Sequence, residues 1–168
     1  QWLERLSQIA HGPGEPAAVR ALAASPHDGG AKLWILSRLL EFRRDEPALF
    51  RDGAYAPLEA AGSGASHVLA FQRTHEDKTL LIVAGRLFVG LATEAESQAS
   101  IAASDCWLPL GVEVWKDTGV ALPGWTDGAR FRNLFTGEVL TVRDGALPMS
   151  EVFSHFPGAA LVALDAHD

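Results

Sequence analysis

The chain has 168 residues, a formal net charge of −7 and 48% hydrophobic residues, enough to build one domain, or one domain with an appendage, around a real core. Its acidic balance (pI ≈ 5.3) argues against nucleic acid or an anionic membrane as partner. A single cysteine, Cys106, forms no internal disulfide and fits a reducing cytoplasm.

In chain order, Gln1 to Ala10 reads as a short helix with Trp2, Leu3, Leu6 and Ile9 on one face, broken by His11-Gly-Pro-Gly-Glu-Pro16. Pro16 to Ala24 is a second helical segment, and Ser25 to Gly30 a linker. The stretch from Asp28 to Phe50 carries the strongest helical signal. Asp28 is placed to cap a helix start, and Leu33, Leu36, Leu40 and Arg43 recur at helical spacing. Trp34, Ile35 and Phe42 lie off that stripe, so the helix is apolar around most of its circumference. Such a helix is normally buried on more than one side, which implies a neighbour beyond a small sheet. The expectation is an apolar surface around Trp34, Ile35 or Phe42 where that neighbour is missing. Pro47 ends the helix by Glu46 and starts a short turn to Arg51. Asp52-Gly53 then turns the chain into extended structure.

Beyond Gly53 the signals are those of strands. Tyr55 to Ala60 is the first. Ser66 to Arg73 and Lys78 to Ala84 flank Thr74-His-Glu-Asp77 as a hairpin, and Leu80 to Val83, apolar at every position, predicts a strand covered on both faces. Leu87 to Ala92, Trp107 to Trp115, Gly119 to Leu122, Ala129 to Leu134, Glu138 to Val142 and Ala159 to Leu164 read as further short strands. Thr93 to Ser104 reads as a loop and Met149 to Phe156 as one or two helical turns. Helices first and strands after give an α+β class: N-terminal helices followed by an antiparallel β-sandwich. The division falls at residues 1–51 and 52–168. No apolar run reaches the roughly 18 residues of a membrane helix, and no secretory signal is visible. The start at Gln1 rather than Met suggests a piece of a longer protein.

Chemistry-bearing motifs are sparse. Six histidines are scattered without metal-ligand spacing, and a lone cysteine completes no structural zinc site, so neither metal nor cofactor is expected. There is no nucleophile elbow, phosphate-binding glycine loop or dinucleotide motif. Gly62-Ser-Gly64 reads as a turn, and His75-Glu76-Asp77 as a solvated hairpin tip. Glu113, Asp117 and Asp127 stand near tryptophans, but nearness in sequence does not set two carboxylates across a sugar. Trp107, Trp115 and Trp125 have two readings, a carbohydrate-stacking platform or plugs of the sandwich core.

Several stretches carry a resemblance. Lys32-Leu-Trp-Ile-Leu-Ser-Arg-Leu-Leu-Glu-Phe-Arg-Arg-Asp-Glu-Pro-Ala-Leu-Phe50 is similar to the last barrel helix of the α-amylase superfamily, and Gly53-Ala-Tyr-Ala-Pro-Leu58 and Val68-Leu-Ala-Phe-Gln-Arg73 to the segments that follow it. Trp115-Lys-Asp-Thr118 with Leu122-Pro123, Phe131-Arg-Asn-Leu-Phe-Thr-Gly137 and Val152-Phe-Ser-His-Phe-Pro-Gly-Ala-Ala-Leu161 resemble the closing segments of maltooligosyltrehalose synthases. The family forms are trp-gly-asp-thr, trp-arg-(asp/asn)-(val/leu)-leu-thr-gly and phe-pro-val-ala-leu-leu; this chain departs at Lys116, Phe131, Phe135, Gly158 and Ala160.

The resemblance covers about Asp28 to Val162. It implies a parent enzyme, an intramolecular transglucosylase that converts the reducing-end α-1,4 linkage of maltooligosaccharides to α,α-1,1 through a retaining mechanism. Its catalytic carboxylates would sit on barrel strands upstream of Gln1, so no residue here receives a catalytic role. Residues 1–51 would be the tail of the (β/α)8 barrel. The rest would be a non-catalytic domain that packs on and stabilises it, with the barrel as partner and the glucan as the parent's substrate. The alternative is an autonomous carbohydrate-binding module using Trp107, Trp115 or Trp125.

Overall fold

The structure, a computed structural model, describes residues 16–94 and 108–165. The expected helix at Gln1 to Ala10, most of the expected loop from Thr93 to Ser104, and Trp107 lie outside them. Helices α1 (Pro16–Ala23), α2 (Gly30–Asp45) and α3 (Pro47–Arg51) come first, with a 3-10 turn at Pro26–Asp28. The carboxylate of Asp28 accepts the Gly30 amide at 2.8 Å, while Gly29, at φ 75°, occupies the capping position itself. Pro47 separates α2 from α3 as its chemistry requires.

Among the described residues nine strands follow: β1 (Ala54–Leu58), β2 (Ala60–Ala61), β3 (Val68–His75), β4 (Lys78–Gly85), β5 (Gly119–Ala121), β6 (Arg130–Asn133), β7 (Val139–Thr141), β8 (Ala146–Pro148) and β9 (Gly158–Ala163). They form a six-stranded sheet of order β1-β3-β4-β9-β6-β7 and a three-stranded sheet of order β2-β5-β8, with antiparallel pairing throughout. The class is therefore mixed helix and antiparallel sheet.

Short helices interrupt the strands: α4 (Phe88–Glu94), α5 (Val112–Trp115) and α6 (Met149–Val152). Two of them correct the sequence reading. Leu87 to Ala92 is not a strand but lies largely in α4, since a short apolar run without alternation fits either state. The described part of the expected strand from Trp107 to Trp115 ends in α5, because Gly111 at φ 75° breaks the extended path. The expected strand Tyr55 to Ala60 is also two strands in different sheets, joined at Glu59.

Strand β4 organises the packing. Its Leu81 and Val83 join Leu58, Val68, Val120, Leu147 and Leu161 in a cluster lying between the two sheets. Its Leu80 and Ile82 face the other way and meet Trp34, Leu49, Phe135 and Phe156 beneath the helices. The all-apolar run is covered on both faces because two layers flank it.

Helix α2 is held from one side. Trp34 is buried, Leu33, Ile35, Leu39 and Phe42 are half-buried against the sheet, and Leu36 and Leu40 stand 45% and 61% exposed. The uncovered apolar residues of this helix are thus Leu36 and Leu40, one turn apart, not the expected Trp34, Ile35 or Phe42.

Candidate functional site

The three tryptophans singled out from sequence do not share one environment. Trp115 closes α5 and is fully buried, its ring 4.8 Å from that of Phe153 and its indole N–H donating to the Pro109 carbonyl at 2.7 Å. A ring so covered has no face free for a sugar. Trp125 follows a turn at Leu122-Pro-Gly and is half-buried, edge-on to Phe131 at 4.7 Å. Trp107 lies outside the described residues.

The nearby carboxylates serve the backbone. Asp127 accepts the Gly145 amide at 2.9 Å, steadying the tight turn between β7 and β8, and Glu113 is exposed on α5. Asp117 accepts both the Ser63 hydroxyl at 2.7 Å and the Ser63 amide at 3.0 Å, and Thr118 accepts the Gly64 amide at 2.9 Å. These bonds clasp the loop after β2 onto the start of β5. They also hold the Asp117 carboxyl below the usual carboxylate range, the Ser63 hydroxyl foremost. Gly62 completes the clasp: at φ 98°, a Cβ there would lie 2.6 Å from the Asp117 carbonyl oxygen.

Beside the clasp lies an open cleft of about 350 Å³. Lys116, Asp117, Thr118 and Gly119 form one side, Arg143, Asp144 and Ala146 another, with Pro148 and Glu151 completing it. Arg143 is ion-paired with Glu151. Lys116 sits at φ 42°, ψ −114°, a conformation that favours glycine. Such a surface offers hydrogen-bond donors and acceptors but no nucleophile–base pair. Sequence reasoning weighed Asp117 and noted Lys116 as a departure from the family form, but did not reach Arg143, Asp144 or Glu151; the signal available was the Asp144-Gly145 turn, which reverses the chain between Arg143 and Ala146. Elsewhere, His75 pairs with Lys78 across the hairpin tip, where Glu76 and Asp77 are exposed. Among the described residues no group of three histidines, cysteines or carboxylates is placed to hold a metal, and no helix is long and apolar enough to cross a membrane.

Other motif residues have structural duties. Arg73 donates from its guanidinium to the carbonyls of Leu49, Phe50 and Gly53 at 2.9–3.1 Å, capping the end of α3. Gly53 leaves no room for a Cβ against the Leu49 carbonyl. Asn133 accepts the Phe135 amide at 3.0 Å, shaping the turn at Leu134-Phe-Thr-Gly137.

No family model matches the chain. It is 35% identical over 129 residues to a protein named maltooligosyl trehalose synthase in two strains of Mycobacterium tuberculosis; the match covers 75% of this chain and 15% of theirs. Among solved structures it is similar to the maltooligosyltrehalose synthase of Arthrobacter ramosus, with 31% identity and a TM-score of 0.55 over 81% of this chain and 14% of that one. A point mutant of the same enzyme matches equally. By sequence and by fold, then, the chain is the relative of a small portion of maltooligosyltrehalose synthase.

Proposed function

We propose that this chain is the C-terminal, non-catalytic region of an enzyme that converts the reducing-end α-1,4 linkage of maltooligosaccharides to α,α-1,1, in the biosynthesis of trehalose. The observation that carries this reading is the 35% identity over 129 residues to proteins bearing that synthase name. In this reading residues 1–51 close a catalytic (β/α)8 barrel and residues 52–168 form a β-sandwich that packs on it in the cytoplasm. The apolar pair Leu36 and Leu40 on α2 supports such a role, since a helix exposing two leucines one turn apart suits a further covering layer. The two antiparallel sheets with a shared core support the sandwich assignment.

The test is an assay of the native polypeptide and of this chain alone on maltopentaose, followed by loss of reducing ends. Activity in the former and none in the latter is the expected result. Conversion by the chain alone, or none by the native polypeptide, overturns the reading.

A further inference from the structure

We propose that the cleft between residues 116–119 and the turn joining β7 to β8 is a binding site for a neutral saccharide, separate from any tryptophan platform. Its lining brings two cations, Lys116 and Arg143, together with three carboxylates, Asp117, Asp144 and Glu151, for a local balance near neutral. An anionic ligand would meet the carboxylates at a cost, and a cationic one would meet Lys116 and Arg143. A polyhydroxylated neutral ligand satisfies both sets, its hydroxyls donating to the carboxylates and accepting from the ammonium and guanidinium groups.

The floor is built of small residues. Gly119 pairs with Pro148 across β5 and β8, and Ala146 lines the same space, so the sheet contributes only small side chains and a proline ring to it. Gly119 is not required by its own backbone: a Cβ would meet the Leu147 carbonyl oxygen at 3.4 Å and the Ala146 methyl at 3.7 Å, ordinary or nearly ordinary contacts. The flat ring of Pro148 supplies an apolar patch in the same floor.

The rim shows strain at one point. Lys116 holds φ 42°, ψ −114°, and is exposed. Nothing in the fold of the turn calls for lysine there, and glycine would sit without strain. The lysine adds a cation to the lining that Arg143 and Asp144 share.

This inference rests on the functional reading for the choice of glucan, and on the cleft alone for the ligand class. The experiment is a titration of the whole chain with maltotriose, followed by backbone amide NMR shifts, and repeated for Lys116→Gly and Gly119→Leu. The expected result is binding whose shifts map to residues 116–119 and 143–151. Lys116→Gly should weaken it about tenfold, the effect of one lost charge-assisted hydrogen bond. Gly119→Leu should abolish it by filling the floor. Lys116→Gly relieves strain and so stays folded, which keeps the test open if Gly119→Leu does not fold. Absence of shifts up to solubility overturns the proposal, as does binding that survives both variants or that Trp125→Ala removes instead. Preferential binding of inorganic phosphate overturns the ligand class. None of these outcomes bears on the maltopentaose assay, so the two readings fail separately.

Discussion

The indole N–H of Trp34 donates to the carbonyl oxygen of Phe135 at 3.1 Å, across 101 residues of sequence. The bond is buried and ties α2 to the turn between β6 and β7, where Arg38 also donates to the Leu134 carbonyl at 3.1 Å. Leaving a buried carbonyl without its donor costs about 1–3 kcal/mol. Trp34→Phe is expected to destabilise the chain by that amount, and Trp34→Ala by about 3–5 kcal/mol, since a cavity is added. Denaturant unfolding checks both. A Trp34→Phe variant as stable as the parent would mean that packing, not the hydrogen bond, is what Trp34 supplies.

Arg73 joins β3 to the end of α3 in a second long-range bond set. Its fork reaches two carbonyls in the last turn of α3, those of Leu49 and Phe50, and the Gly53 carbonyl just beyond it. Lysine carries the charge but not the fork geometry. Arg73→Lys is expected to cost about 1.5–3 kcal/mol, the range for hydrogen bonds to charged groups, read as a lower unfolding midpoint at unchanged slope. A variant as stable as the parent would remove the capping role.

Much of this framework is legible in the sequence. The hairpin of β3 and β4 announces itself through two apolar runs about a polar tip, and the run at Leu80 to Val83 through its lack of alternation. Pro47 marks the break between α2 and α3. What is not legible depends on layers. Tyr55 to Ala60 reads as one strand because no local signal tells that the chain passes from one sheet to another at Glu59. Residues 146–148 are too few for a periodic pattern, so β8 escapes a reading from sequence. The Asp117–Ser63 clasp joins residues 54 apart, and spacing alone does not bring them together. The partial burial of Trp125 and full burial of Trp115 are likewise set by tertiary packing, which sequence leaves open between core and platform.

Lys116 is a place where local rule and structure conflict. A non-glycine residue in so sparsely populated a backbone region costs about 1–3 kcal/mol, and the resembling motif has glycine at this point. Lys116→Gly is expected to stabilise the chain by about 1–2 kcal/mol, after the added flexibility of the unfolded state is set against the relieved strain. Thermal unfolding of the variant checks this. A loss of stability would show that the lysine side chain makes compensating contacts.

The clasp beside it predicts a pH dependence. Hydrogen bonds from Ser63 lower the Asp117 pKa in the folded chain, below an unfolded value of about 3.9. The unfolded state then binds the proton more readily, so the contribution is complete above that unfolded value and is lost as pH falls through the lower folded one. Asp52, lowered chiefly by its hydrogen bond from Arg51, adds a slope of the same sign, but equally in parent and variant. Asp117→Asn is therefore expected to flatten the acid limb of the stability profile, so that the two proteins differ most near neutrality and converge below the folded pKa. Unfolding free energies measured from about pH 7 downward through the carboxylate range check it. Parallel profiles would mean that Asp117 titrates alike folded and unfolded, and that the Thr118–Gly64 bond with the glycine geometry at Gly62 holds the loop without help from its charge.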